Sequence, residues 1–347
     1  MATTIKDVAK LAGVSITTVS LVLNGHDRLR QETAERVRKA AREAGYVPNQ
    51  YARSLITKNK KVIGVIRLTD EPMATSFGFA STVDTYLNDM LWSIEGVGGE
   101  HECGMVLDWY DAKDGLYIPK ILDPNKVDGI LCVGGIINDV FLEKIRQSGI
   151  PVVFVGSRNE GFDWVDTDGA KAISLATDHV ISQGHRDLLF LNGPAISQSS
   201  GRKKEGFLSS AGKAGLPESC YRVIPCDFSG LSAYQAMSSL SEDFKPSAVI
   251  CAADCMAVGV IRYAGEQGLS CPKDLSVIGY EDGILAEYSN PPLSTIRIDK
   301  ARLGEEACGM LFERIADPLK KPEGRLLQPQ LVIRQSVSQR KQEKETV

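Results

Sequence analysis

The chain has 347 residues, enough for more than one domain, and its 43% hydrophobic and 24% charged composition is ordinary for a globular protein with a sizeable core. The net charge of −4 is unevenly spread: residues 1–61 hold 12 Lys and Arg against 5 Asp and Glu, and the remainder 28 against 39. A basic head on an acidic body suits DNA binding. The 8 cysteines form no C-x-x-C pair, the 4 histidines have no metal-ligand spacing, and no apolar run suits a signal segment or a span. No metal, no cofactor, no membrane and a cytoplasmic location are therefore expected.

In chain order, Thr4 caps a first helix predicted over 5–12, with Asp7 favouring its positive end and Val8 and Leu11 as its apolar face. Gly13 supplies a turn, and Ser15 caps a second helix over 16–23. Val19 and Leu23 are expected to bury; Ile16, Thr17, Ser20 and Leu21 face outward, and Asn24-Gly25 ends the helix. Two short helices joined by a Gly-containing turn form the helix-turn-helix pattern, whose second helix enters the major groove of DNA. A third helix is expected over 31–44, with Val37, Ala41 and Ala44 on one face and Gly45 as terminator. After Pro48, Asn49 can cap a further helix of a turn or two, too short to be stable alone.

From Val62 short apolar runs alternate with helical segments, the signature of parallel sheets in an α/β fold. Strands are expected at 62–68, 105–110, 129–133, 152–155, 188–192, 248–252 and 276–280. Helices are expected near 84–102, 139–148, 172–183, 201–214, 231–240 and 255–267. Two successive doubly wound lobes fit this order. Cys251 and Cys255 lie in an apolar stretch and read as packing residues. Enzymatic motifs are lacking: Gly96-Val97-Gly98-Gly99 falls inside a helical pattern, and there is no P-loop, G-x-S-x-G or H-E-x-x-H. His185, at a helix end, reads as a dipole partner rather than a base.

The block GVSITTVSLVLNG, Gly13 to Gly25, together with GYVPNQYARSL, Gly45 to Leu55, resembles the lactose/galactose repressor family of bacterial transcription regulators. The resemblance runs on to about Arg334. It implies an all-α helix-turn-helix headpiece (1–46), a hinge helix and linker (47–61) and an α/β two-lobed periplasmic-binding-protein-like domain (62–336), with a polar tail at 337–347. On this template the N-lobe is 62–160 plus 295–325 and the C-lobe 161–293 plus 326–336. Crossings between the lobes are expected near 156–162, 290–294 and 326–330.

By the same resemblance, the residues meeting DNA are Ser15, Ile16, Thr17, Thr18, Ser20, Leu21, Asn24, Arg30, Asn49, Ala52, Arg53 and Leu55. Leu55 is the apolar wedge that unstacks a base step in the minor groove. Leu21 departs from the family, standing where many members carry an arginine. Arg30 also departs, standing where a serine usually caps the third helix. The implied effector contacts are Lys203 (for the usual arginine), its neighbour Arg202, Phe228, Asp254 and Glu281 (for the usual aspartate). Ala253-Asp254 replaces an Asn-Asp pair, and Lys300 stands where some sugar-binding members carry an aromatic. Segment 70–86, with Phe77 and Phe79, is either an altered lid or a surface insertion.

The function so implied is a homodimeric repressor, not an enzyme, that binds a pseudo-palindromic double-stranded operator under control of a small-molecule effector, a sugar or sugar derivative. The alternative is a solute-binding sensor of periplasmic type with no DNA role.

Overall fold

In the computed structural model, described for residues 3–23, 30–46, 60–69, 85–113 and 115–340, the chain divides into two compact units, Met1–Lys60 and Lys61–Val347. Asn24, Asn49, Ala52, Arg53 and Leu55, the expected hinge helix, and 70–84 of the departing segment lie outside the described residues.

The first unit contains helices α1 (Ile5–Ala12), α2 (Ile16–Leu23) and α3 (Gln31–Glu43). At the start of α1 the Thr4 backbone N–H donates to Asp7 Oδ2 at 2.8 Å and its hydroxyl donates to the same oxygen at 2.7 Å. These bonds hold the Asp7 carboxyl below its ordinary pKa range. Val8, Val19 and Val37 are fully buried and meet, with Ala9, Ala12, Val22, Ala40 and Ala41 around them. Two expected core positions move. Leu11 is 58% exposed because the inward stripe of α1 runs through Val8, Ala9 and Ala12. Leu23 is only half-buried, and Val22 takes the core position.

The second unit holds two six-stranded sheets. The first comprises β1 (Val62–Thr69), β2 (Gly104–Asp111), β3 (Gly129–Val133), β4 (Val152–Val155), β5 (Asp163–Thr167) and β11 (Gly324–Leu327), ordered β11-β5-β4-β3-β1-β2 and parallel throughout. Helices α4 (Thr85–Glu100) and α11 (Lys300–Ala316) pack together on one face, and α5 (Asp139–Ser148) packs on the other. The second sheet comprises β6 (Leu188–Asn192), β7 (Tyr221–Pro225), β8 (Ala248–Cys251), β9 (Ser276–Glu281), β10 (Ser294–Arg297) and β12 (Gln330–Val332), ordered β12-β10-β9-β8-β6-β7. Only β12 runs antiparallel to its neighbour. Helices α6 (Gly169–Ser182), α7 (Gln198–Lys213), α8 (Gly230–Ser238), α9 (Asp254–Glu266) and α10 (Ile284–Tyr288) belong to this lobe. Every residue of β3, β4, β6 and β8 is buried, as expected of strands covered on both faces.

The lobe boundaries differ from the expected ones. Strand β5 belongs to the first sheet, so the chain leaves that lobe at Asp168 rather than at 156–162. Strand β10 belongs to the second sheet, so the return passes through Ile298 and Asp299 rather than 290–294. The last crossing, between β11 and β12, falls at 328–329.

The polarity of DWVDT concealed β5. Its carboxylates are tolerated because Asp163 takes a bidentate pair from Arg314, at 2.8 and 3.0 Å, and Asp166 pairs with Arg158 and Arg202. Helix α11 was legible in the i, i+4 row Leu303, Ala307 and Leu311 behind the Asp299 cap, but was not among the expected elements. The polar tail that begins at Val337 is packed through Arg340: Val337 joins the second-lobe core and the Arg340 N–H donates to Gln183 O at 2.8 Å. His185 belongs to this fastening. Its Nδ1 lies 3.1 Å from Ser247 Oγ and its Nε2 3.0 Å from Ser338 O. Burial lowers its pKa, so it acts as a neutral link and not as a charged dipole partner.

Candidate functional site

In the first unit, α2 buries Val19 and Val22 and turns Ile16, Thr17 and Leu21 to solvent, with Thr18 and Ser20 half-buried between. Ser15 starts the helix, its Oγ accepting from the Thr18 N–H at 3.1 Å and lying 2.8 Å from Thr18 Oγ1. Ile16, Thr17 and Leu21 thus face outward as expected, while Ser20, also expected outward, is half-buried. Arg30 sits at the N-cap of α3 but makes no side-chain capping bond, so its exposed guanidinium caps nothing.

In the second unit, a cavity of about 220 Å³ opens at the carboxyl ends of both sheets, where open α/β sheets bind ligands. Arg67, Leu68 and Thr69 reach it from β1, Asp166 and Thr167 from β5, and Tyr280 and Glu281 from β9. Lys203, Phe228, Ala253 and Asp254 complete the other side. Four of the five expected effector residues thus converge: Lys203, Phe228, Asp254 and Glu281.

The fifth, Arg202, does not line the cavity. Its guanidinium lies 2.8 Å from Asp166 Oδ2 and donates to Gly156 O at 3.1 Å. It holds a cavity carboxylate from behind. Lys300 is likewise off the wall, buried and 2.5 Å from Asp89.

The geometry of each cavity residue has a local cause. Lys203 is 5% exposed; its Nζ donates to Ala252 O at 3.1 Å and stands over the Tyr280 ring at 3.9 Å and the Phe228 ring at 5.2 Å. Burial lowers its pKa to about 8, against the opposing pull of Glu281 and Asp166. Asp254, at the start of α9, is 2% exposed, and its carboxylate accepts from Thr295 Oγ1 at 2.6 Å and the Gly283 N–H at 2.9 Å. Burial outweighs these bonds and raises its pKa to about 6.

Phe228 has φ 65° and Glu281 φ 113°, conformations that L-residues adopt only when the surroundings enforce them. For Glu281 the enforcement is visible next door. Asp282, itself at φ 55°, is clamped by Arg297 at 2.6 Å and Arg334 at 2.7 Å, which join the end of β9 to β10 and to the segment after β12. Phe228 is seated on Gly193, where an added Cβ would fall 1.9 Å from the ring.

Several cavity residues were not expected. Tyr280 and Thr167 stand one residue from Glu281 and Asp166 at strand ends, a positional signal available once β5 and the end of β9 are placed. Thr167 Oγ1 is buried in this wall without a hydrogen-bond partner, so the cavity has an unsatisfied hydroxyl to offer a ligand. Cys251 is buried at the end of β8, and Cys255 donates through Sγ to Phe228 O at 3.0 Å, both in packing roles. No helix among the described residues is long and apolar enough to cross a membrane.

A three-helix unit displaying an outward second helix, followed in the chain by a two-sheet body with a polar-aromatic cavity, is the architecture of DNA-binding regulators that carry a binding-protein-like domain. Comparison with known proteins agrees. Residues 4–49 match the profile described as bacterial regulatory proteins, lacI family, and residues 177–337 match a periplasmic binding protein-like domain. A relative described as the HTH-type transcriptional repressor PurR of Pasteurella multocida (strain Pm70) is 33% identical, over 97% of this chain and 99% of its own. Among solved structures, the transcriptional regulator CelR–cellobiose complex is 26% identical with TM-score 0.69, covering 96% of this chain and 99% of that one. A lac repressor dimer bound to operator and the anti-inducer ONPF is 24% identical with TM-score 0.81, covering 97% and 100%, and shows the shared fold. The chain belongs to the lacI family of bacterial regulatory proteins. It is a DNA-binding transcriptional repressor.

Proposed function

We propose that this repressor works in the cytoplasm as a homodimer on a pseudo-palindromic operator, and that a carbohydrate bound in the cavity sets its operator affinity. Ser15, Ile16, Thr17, Thr18, Ser20 and Leu21 face the major groove in this reading, with Asn24 and Arg30 near the backbone. Asn49, Ala52, Arg53 and Leu55 engage the minor groove. One copy makes few contacts, whereas two-fold pairing reads both half-sites.

The cavity chemistry carries the effector assignment. The rings of Phe228 and Tyr280 offer faces to sugar C–H groups, while Asp254, Glu281, Lys203 and the Thr167 hydroxyl offer partners to sugar hydroxyls. Asp227, Asp254 and Glu281 stand beside Arg67 and Lys203 on the wall, and Arg158 and Arg202 are already paired with Asp166, so no excess of positive charge is left for a phosphate ester and a neutral polyol is favoured. The cellobiose complex of a structural relative supports the same class. Arg202 contributes through Asp166 rather than by contact.

The test is calorimetry on the full chain with neutral sugars, sugar phosphates and nucleobases, followed by gel shift on a duplex selected from random DNA. A neutral sugar is expected to bind and to change operator affinity. Phe228→Ala and Glu281→Ala are expected to weaken sugar binding at least tenfold without altering effector-free DNA binding. Selective binding of a nucleobase or a phosphorylated ligand would overturn the carbohydrate reading. Indifference of ligand binding to both substitutions would overturn the contacts.

A further inference from the structure

The eight residues of α2, ITTVSLVL, include no Arg, Lys, Asn, Gln, Asp or Glu. Guanine is read by paired donors, adenine by a side-chain amide, and the cytosine amino group by a carboxylate. None of those groups is present on this helix. The hydroxyls at its start are occupied with each other, Ser15 Oγ and Thr18 Oγ1 lying 2.8 Å apart. What α2 presents beside the exposed Thr17 hydroxyl is apolar: Ile16 is 45% exposed and Leu21 36%, while Val19 and Val22 are consumed by the core.

Leaving two branched aliphatic side chains in water is unfavourable unless something apolar covers them, and in the major groove only thymine carries such a group, its 5-methyl. We propose that α2 recognises its half-site through thymine 5-methyl groups, with Ile16 and Leu21 as the specificity-determining residues and Thr17 as an adaptable hydroxyl beside them. The proposal rests on the placement of α2 in the major groove given above. It adds the ligand chemistry: A·T pairs under α2 with thymine methyls turned toward the protein, and no guanine required there.

The experiment uses the full-length protein. A duplex is selected from a random-sequence pool, and each half-site thymine is replaced in turn by deoxyuridine, which removes the 5-methyl and keeps every hydrogen-bonding group. Affinity is expected to fall about fourfold for each thymine covered by Ile16 or Leu21, the equivalent of one buried methyl. In Ile16→Ala and Leu21→Ala the penalty at the corresponding thymine is expected to disappear. Both side chains are exposed, so thermal unfolding of the variants checks that the fold is intact.

Deoxyuridine tolerated at every half-site position, or an invariant guanine selected opposite Leu21, would overturn the proposal while leaving the operator reading intact. Failure to enrich any duplex would overturn that reading and this proposal with it.

Discussion

At the scale of single residues, the cavity wall depends on side chains held in unfavourable states. The ring of Phe228 lies so close to Gly193 that the smallest added side chain must displace it. Gly193→Ala is therefore expected to weaken effector binding at least tenfold, the same loss expected of Phe228→Ala, while effector-free operator binding is unchanged; calorimetry and gel shift on the same preparation read both. Asp254 gives a second expectation, through pH. Its pKa rises from 3.8 to about 6 in the fold, so between those values the folded state holds more protons than the unfolded one. Stability from this group is complete below about pH 4 and is lost as pH rises through 6. Asp254→Asn cannot titrate. The melting temperature of the parent should fall relative to the variant between pH 4 and pH 7, and parallel curves would refute the assignment.

At the scale of elements, helix packing is decided by close backbone approach as much as by apolar stripes. Helix α9 lies against the start of α8 so closely that a Cβ on Gly259 would come within 2.1 Å of Gly230 O. A carbonyl oxygen cannot rotate away as a side-chain end can. Gly259→Val is thus expected to destabilise the body by about 1–3 kcal/mol, measured by urea unfolding, with the first unit's helicity unaffected. The same scale explains which elements the sequence showed. Strands β3, β4, β6 and β8 are continuous apolar runs, and their expected and observed ranges agree to within a residue. Strand β5 was hidden because Asp163 and Asp166 look like loop residues until their arginine partners, up to 151 positions away, are in place. Strands β7 and β12 were missed for a different reason: they are short, partly exposed edges with little pattern to read.

At the scale of the whole molecule, the effector and the operator act on one protein, and thermodynamic linkage makes their effects reciprocal. If the bound sugar changes operator affinity by some factor, saturating operator must change sugar affinity by the same factor and in the same sense. Calorimetric titration of the sugar with and without the selected duplex measures this. A sugar affinity that is the same with and without the duplex would refute control of operator affinity by that sugar. Operator binding is also expected to weaken as salt is raised, because the basic charge is concentrated in residues 1–61 and phosphate contacts release counterions.

The sequence by itself determined the division into a basic helical head and an α/β body. That division, and the outward turn of Ile16, Thr17 and Leu21 on α2, rest on local spacing and caps that neighbouring residues dictate, whereas four of the cavity residues were implied by the family resemblance. Only the tertiary structure decided where the chain passes between lobes, that Arg202 backs Asp166 instead of facing the ligand, and that Tyr280 and Thr167 share the wall. Those facts depend on which distant charges and ring faces meet once the sheets are assembled, and a linear pattern does not encode such meetings.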